Sequence, residues 1–177
     1  MKHGRAWRAT VLSLALLLSL GEIAMAFTVS SPAFTAGAAI PAAHTCDGAD
    51  RSPALTWSGA PAGSKSLALV VDDPDAPAGT WVHWVLYDLP ADASGLPEGV
   101  ARDETLANGG KQGSNDFRKV GYNGPCPPPG KTHRYFFKLY ALDAPTALQP
   151  RATKEVFLRA TQGHVLGQCE LIGTYQR

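Results

Sequence analysis

Short runs of β-branched and aromatic residues, each ended by a Gly or Pro cluster, recur along this chain and constrain its fold more than any other feature. Ala54-Leu55-Thr56-Trp57 stops at the loop Gly59-Ala60-Pro61-Ala62-Gly63. Ser66-Leu67-Ala68-Leu69-Val70-Val71 is apolar almost throughout, the pattern of a strand buried on both faces. Trp81–Tyr87, His133–Leu142 and Cys169–Tyr175 are three further strand candidates. One segment has helical spacing: Val156, Phe157, Ala160 and Val165 recur within Lys154–Leu166, with Thr153 placed to cap the start and Gly167 the end. A second helical turn is expected near Ala144–Leu148. The pattern predicts a mainly β protein, an antiparallel β sandwich with a few peripheral helices.

The first 26 residues stand apart. Lys2, Arg5 and Arg8 precede the apolar run Val11–Leu20, and Ala24-Met25-Ala26 follows. This is the layout of a secretory signal peptide. The run is about ten residues, against the roughly 20 that span a bilayer. We expect a leader over 1–26, one domain over 27–177, and a periplasmic or secreted product. Removing the leader takes Lys+Arg from 16 to 13 and Asp+Glu from 15 to 14, a net charge near −1. Composition therefore gives no case for nucleic acid. Three cysteines remain, Cys46, Cys126 and Cys169. Export permits one disulfide. Cys169 lies between apolar positions of a strand and reads as a buried free thiol, which favours Cys46–Cys126, with a fully reduced chain as the alternative.

Between Pro90 and Lys131 about forty residues show little regular pattern and many Gly and Pro, the profile of a functional or disordered loop. Asn115, Asp116, Phe117 and Tyr122 supply anchors, so an ordered binding loop is expected. Within it, Gly124–Thr132 looks superficially like a phosphate-cradling loop. Five residues separate its glycines where that motif has four, and its four prolines have no N–H to offer a phosphate. No G-x-S-x-G, H-E-x-x-H or paired C-x-x-C occurs.

Three clusters could carry chemistry. Asp72-Asp73-Pro74-Asp75-Ala76-Pro77 is a proline-stiffened turn at a strand end. Strand alternation puts Trp81, His83, Val85 and Tyr87 on one face. It likewise puts His133 beside Tyr135 and sends Arg134 to the other face. An imidazole and a phenol side by side can both donate to an anionic oxygen, and Pro125 with Pro127–Pro129 would wall them in. Each cluster alone reads more readily as an ordinary turn or core.

Together the clusters resemble the phosphatidylethanolamine-binding protein family, in its bacterial Raf-kinase-inhibitor-like branch. The matching pieces are Cys46-Asp47-Gly48, Ser52–Trp57, Asp73–Pro77, Trp81–Trp84, Gly113–Phe117, Gly121–Pro128 and Gly130–Tyr135, in the family's order. The resemblance implies a central antiparallel β fold and a pocket for small anions, lined by Asp73, Asp75, Pro77, His83, Gly124, Pro125, His133 and Tyr135. Where the family often has Gly after N-D-F, this chain has Arg118.

The expected function is that of an exported binding protein, without cofactor or catalytic residues. Its partner would be a small anion or phosphorylated small molecule, with membrane contact only through a lipid head group. Asp73 and Asp75 would orient the histidines and hold their pKa values up, so that binding strengthens as pH falls. The alternatives are a hydrolase using the same Asp/His pocket, a regulator or inhibitor of another protein through the exposed loop, and a metal site of two His and two Asp. The family's kinase-inhibitor label is not carried over, since an exported protein would not meet those kinases.

Overall fold

The computed structural model describes residues 25–177. The expected leader lies outside the described residues, apart from Met25 and Ala26. The described chain forms strands β1 (Thr28–Ser30), β2 (Leu55–Ser58), β3 (Ser66–Asp73), β4 (Trp81–Pro90), β5 (Gly95–Leu96), β6 (Lys111–Gln112), β7 (His133–Leu142) and β8 (Val165–Tyr175), with helix α1 (Lys154–Ala160) before β8. They build two antiparallel sheets, a three-stranded one in the order β1-β2-β5 and a five-stranded one in the order β6-β4-β3-β7-β8.

The central strand explains the architecture. All eight residues of β3 are buried. Leu67, Leu69 and Val71 pack with Val29, Leu55, Trp57, Leu96 and Phe137 in the core between the sheets. Ala68 and Val70 face the other way, against Tyr87, Tyr140, Leu142 and Phe157. Phe157, fully buried, seats α1 on that outer face between Tyr87 and Tyr140, with ring centroids 6.1 and 5.7 Å away. Each buried side chain of this size contributes about 1.5–3 kcal/mol, so both faces of β3 stabilise the sheet.

Strand β4 is not regular, and its expected face does not survive. Val71 lies opposite Trp84, but Asp72 lies opposite Val82, so His83 is an extra residue, a β-bulge. A second irregularity falls between Leu86 and Leu89, where Asp88 takes φ 57°. The bulge breaks the period of two. Val85 and Tyr87 turn to the α1 face, while Trp81 and His83 open onto a pocket at the end of the inter-sheet core. In β7 the alternation holds: His133 and Tyr135 point to the pocket and Arg134 to solvent.

The helix is shorter than its spacing predicts. Thr153 caps its start, accepting from the Val156 N–H at 3.4 Å. It ends by Thr161, and Gly163 at φ 82° turns the chain back. Val165 and Leu166 therefore open β8, and Gly167 sits opposite Ala141 rather than capping a helix. The turn expected at Ala144–Leu148 is not helical. Asp88 takes the Thr146 N–H at 2.7 Å, and Ala147 stands at φ 57°, outside the right-handed region. The Pro90–Lys131 segment is ordered and contributes β5 and β6.

Candidate functional site

Strand β3 ends in the pocket because its alternation continues: Leu67, Leu69 and Val71 face the inter-sheet core, and Asp73 is next in that row. One oxygen of Asp73 accepts the Asp75 N–H at 2.8 Å, an Asx turn that fixes the following loop. The other oxygen accepts the His133 Nδ1–H at 2.7 Å, and both side chains are buried. Strand β7 begins at His133, so the same pairing aims the imidazole and places Tyr135 two residues deeper.

His83 is held differently. Its Nδ1–H donates to the Asn123 carbonyl at 2.7 Å. A carbonyl only accepts, so Nδ1 carries the hydrogen and, in the neutral ring, Nε2 carries the lone pair. As the bulge residue, His83 gives its own carbonyl to the loop, which donates the Asn123 N–H (3.1 Å) and the Asn115 Nδ2–H (3.3 Å). Asn115 also donates to Gly121 and Asn123 and accepts from the N–H groups of Phe117 and Lys119. One buried amide thus ties the loop to β4. The His83 ring packs edge-on against Tyr135 and Phe117, at 5.2 and 5.3 Å between centroids. Burial pushes the His83 pKa below 6.5, outweighing the Asn123 hydrogen bond and the attraction of Asp73. The expectation that carboxylates hold the pocket imidazoles up therefore fails at His83.

Tyr135 closes the floor. Its hydroxyl is buried and has no hydrogen-bond partner among the described residues. Burial, then the charge of the Asp73 carboxylate and the hydroxyl's approach to it, push its pKa up, so the phenol keeps its proton. The pocket measures about 340 Å³, within the size of small-molecule sites. Its rim and walls are mostly apolar: Pro77, Trp81, Phe117, Pro127 and Pro128, with Cys126 among them. A disulfide joins Cys126 to Cys46. Cys169 is the free cysteine, half-buried, with its thiol pKa pushed up to about 11 by burial.

Five of the eight expected residues line this pocket: Asp73, Pro77, His83, His133 and Tyr135. Asp75 does not. Its carboxylate takes the Arg134 guanidinium in two bonds of 2.8 and 2.7 Å outside the pocket, and Arg134 holds its pKa down at about 2. Gly124 and Pro125 stand behind the wall. The Gly124 N–H binds Asp50 at 2.7 Å, and a Cβ there would sit 2.2 Å from the His44 carbonyl oxygen. Pro125 accepts from the Cys46 N–H at 3.0 Å. The close approach of the His44 carbonyl explains the glycine at 124. Sequence reasoning left Trp81 and Phe117 out of the site. Trp81 shared the period-two face of His83, a signal that could have included it; the T-shaped pair it makes with Phe117, at 5.6 Å, closes only in the fold. Arg118 stands at φ 60°, the left-handed conformation that glycine adopts without strain. Among the described residues, no group of three or more His, Cys, Asp or Glu is placed to hold a metal ion.

The chain has clear relatives. The model of the phosphatidylethanolamine-binding protein family matches residues 30–176. A UPF0098 protein of Methanothermobacter thermautotrophicus is 52% identical over 145 residues, which span 82% of this chain and 95% of that protein. A UPF0098 protein of Aquifex aeolicus is 46% identical over 151 residues, spanning 84% and 88%. Among solved structures, the phosphatidylethanolamine-binding protein homologue CT736 of Chlamydia trachomatis aligns with a TM-score of 0.78 at 39% identity, over 86% of this chain and 98% of that one. YbcL of Escherichia coli aligns with a TM-score of 0.80 at 35% identity, over 85% and 98%. A family match running through both sheets and every residue of the pocket, with relatives matched over nearly their whole length and of the same fold, leads to one conclusion: the chain belongs to the phosphatidylethanolamine-binding protein family.

Proposed function

We propose that this protein is an exported, non-enzymatic binding protein whose pocket takes a small phosphate-like anion or a phosphorylated head group. The observation that carries the reading is the Tyr135 hydroxyl, a buried donor beside the Asp73 carboxylate and His83 that makes no hydrogen bond of good geometry among the described residues. A buried unsatisfied hydroxyl costs free energy unless a ligand completes it, and an anionic oxygen accepts from a phenol. Neutral His83 adds a lone pair at Nε2, which suits a ligand oxygen that still bears a proton, such as the P–OH of a phosphate monoanion. An anion also favours the protonated imidazole, so affinity rises as pH falls through either route. Export rests on the leader-like first 26 residues and on the disulfide, which suits an oxidising compartment.

A hydrolase reading would have to draw on Asp73, His83, His133 or Tyr135, since hydroxyl, amine and free-thiol nucleophiles are missing from the lining. The lining contains no Ser, Thr or Lys, and the sulfur of Cys126 is committed to Cys46. Calorimetric titration of inorganic phosphate and of phosphoethanolamine into wild type and His83→Ala tests the proposal. The variant should bind at least about tenfold more weakly, the loss of one polar contact to a charged group. Equal affinity in the two proteins would rule the reading out.

A further inference from the structure

The wall of the pocket that carries Cys126 is a stiff segment with few backbone donors, seated by the burial of Pro125 and Pro127. Four of the five residues in Pro125–Pro129 are prolines, so the segment can donate one backbone N–H at most, that of Cys126. It belongs to no strand or helix. Its ties lie at its two ends: the Pro125 carbonyl accepts from the Cys46 N–H at 3.0 Å, the Gly130 N–H donates to the Arg177 carbonyl at 3.1 Å, the Gly130 carbonyl accepts from Gln176 Nε2 at 3.2 Å, and the Arg177 guanidinium approaches Cys126 Sγ at 3.9 Å. Between these ends Pro127 and Pro128 face the pocket, and Cys126 both lines the pocket and bonds covalently to Cys46.

The other end of that bond is firmly built in. The Cys46 loop carries Thr45, fully buried, and His44, whose carbonyl takes the Tyr122 hydroxyl at 2.7 Å. Next to it, Asp47 accepts from the Tyr175 hydroxyl at 2.8 Å and from Arg177 at 3.1 Å, which ties the loop to the end of β8. The disulfide therefore couples a wall with no strand or helix bonding of its own to a well anchored loop, across 80 residues of sequence. Cys126 is exposed, so a partner thiol can reach it.

We propose that the Cys46–Cys126 disulfide is a redox latch that completes the anion pocket, so that the protein binds its ligand in the oxidised state and releases it on reduction. The inference rests on the function proposed above. In closing the latch, the two thiols give up two electrons and two protons to the disulfide of an oxidant, which leaves as a dithiol. In opening it, a dithiol reductant attacks a sulfur of the bond and is itself oxidised to a disulfide, leaving Cys46 and Cys126 as thiols. Newly made chain in a reducing compartment would have an open wall, and ligand binding would begin after oxidation.

Two measurements test this on the mature chain. Inorganic phosphate is titrated into the oxidised protein, into the same protein reduced with dithiothreitol, and after reoxidation. If the reduced wall holds its closed position for about a tenth of the time, affinity falls about tenfold, and reoxidation restores it. The double variant Cys46→Ser/Cys126→Ser should match the reduced protein. Equal affinity in the oxidised and reduced states overturns the latch. So does collapse of the β-sheet circular dichroism on reduction, which would make the bond a staple of the whole fold. The second measurement needs no ligand: amide hydrogen exchange at Cys46, whose N–H bonds to Pro125, and at Gly130 should speed up on reduction while the exchange of β3 and β7 stays unchanged. If the oxidised protein binds no phosphate, the proposed function fails, and the exchange result still judges the latch. Unchanged exchange at Cys46 and Gly130 overturns it.

Discussion

Replacing Tyr135 by Phe should improve the fold and damage binding, and this opposition is the sharpest test of the pocket. The hydroxyl is the single buried side-chain polar atom without a partner among the described residues. Leaving such a group unmade costs about 1–3 kcal/mol. The low end applies, because the hydroxyl borders a pocket open to solvent. Tyr135→Phe keeps the ring that packs against His83 at 5.2 Å and removes only the oxygen. Unfolding free energy from urea titration should therefore rise by about 1 kcal/mol, or roughly 2–4 °C in Tm for a domain of this size. Phosphate affinity should fall by about 10- to 100-fold, since a hydrogen bond to a charged group is worth about 1.5–3 kcal/mol. The two effects must appear in the same variant. Loss of more than about 1 kcal/mol of stability would mean that the hydroxyl is already satisfied, and unchanged affinity would mean that it does not meet the anion. Either result refutes the reasoning.

Three other tests follow from the electrostatics and the backbone. Arg134 holds the Asp75 pKa at about 2, below its ordinary 3.8, so their pairing stabilises the protein above that ordinary value and is lost as pH falls through about 2. Urea unfolding at pH 5 and pH 2 should show a wild-type advantage over Arg134→Ala that shrinks at the lower pH; an advantage of constant size would exclude the pairing as its cause. His83, with its pKa lowered by burial, should keep a neutral ring with the hydrogen on Nδ1 at pH 6.5, and phosphate should raise its pKa. Nitrogen chemical shifts of the imidazole report both, and a ring already protonated at that pH without phosphate would contradict the assignment. Arg118→Gly should stabilise the protein by about 0.5–1 kcal/mol, the relief of a left-handed residue less the entropy cost of glycine. Urea unfolding measures it, and destabilisation would show that the Arg118 side chain contributes more than the strain removes.

The fold class was legible in the chain's local patterns. The unbroken apolar run of β3 requires cover on both faces, and it receives the second sheet on one side and α1 on the other. The alternation of β7 placed His133 and Tyr135 together without any knowledge of the rest of the chain. The ordered motifs that resemble the phosphatidylethanolamine-binding family named five of the residues that line the pocket. What failed were steps that assume an unbroken period. Helical spacing ran past Gly163, where a single left-handed glycine ends α1 and starts β8. The face shared by His83, Val85 and Tyr87 vanished at the β4 bulge, because the extra residue is stabilised by Asn115 and Asn123 from a loop over thirty positions away. Only the tertiary structure decided the partners: Arg134 draws Asp75 out of the pocket, the Asn123 carbonyl sets the tautomer of His83, and Tyr135 is left without a partner. A residue's type and period are properties of its neighbours in sequence. Its burial, its hydrogen-bond partner and the pKa they impose depend on groups that the chain brings together only by folding.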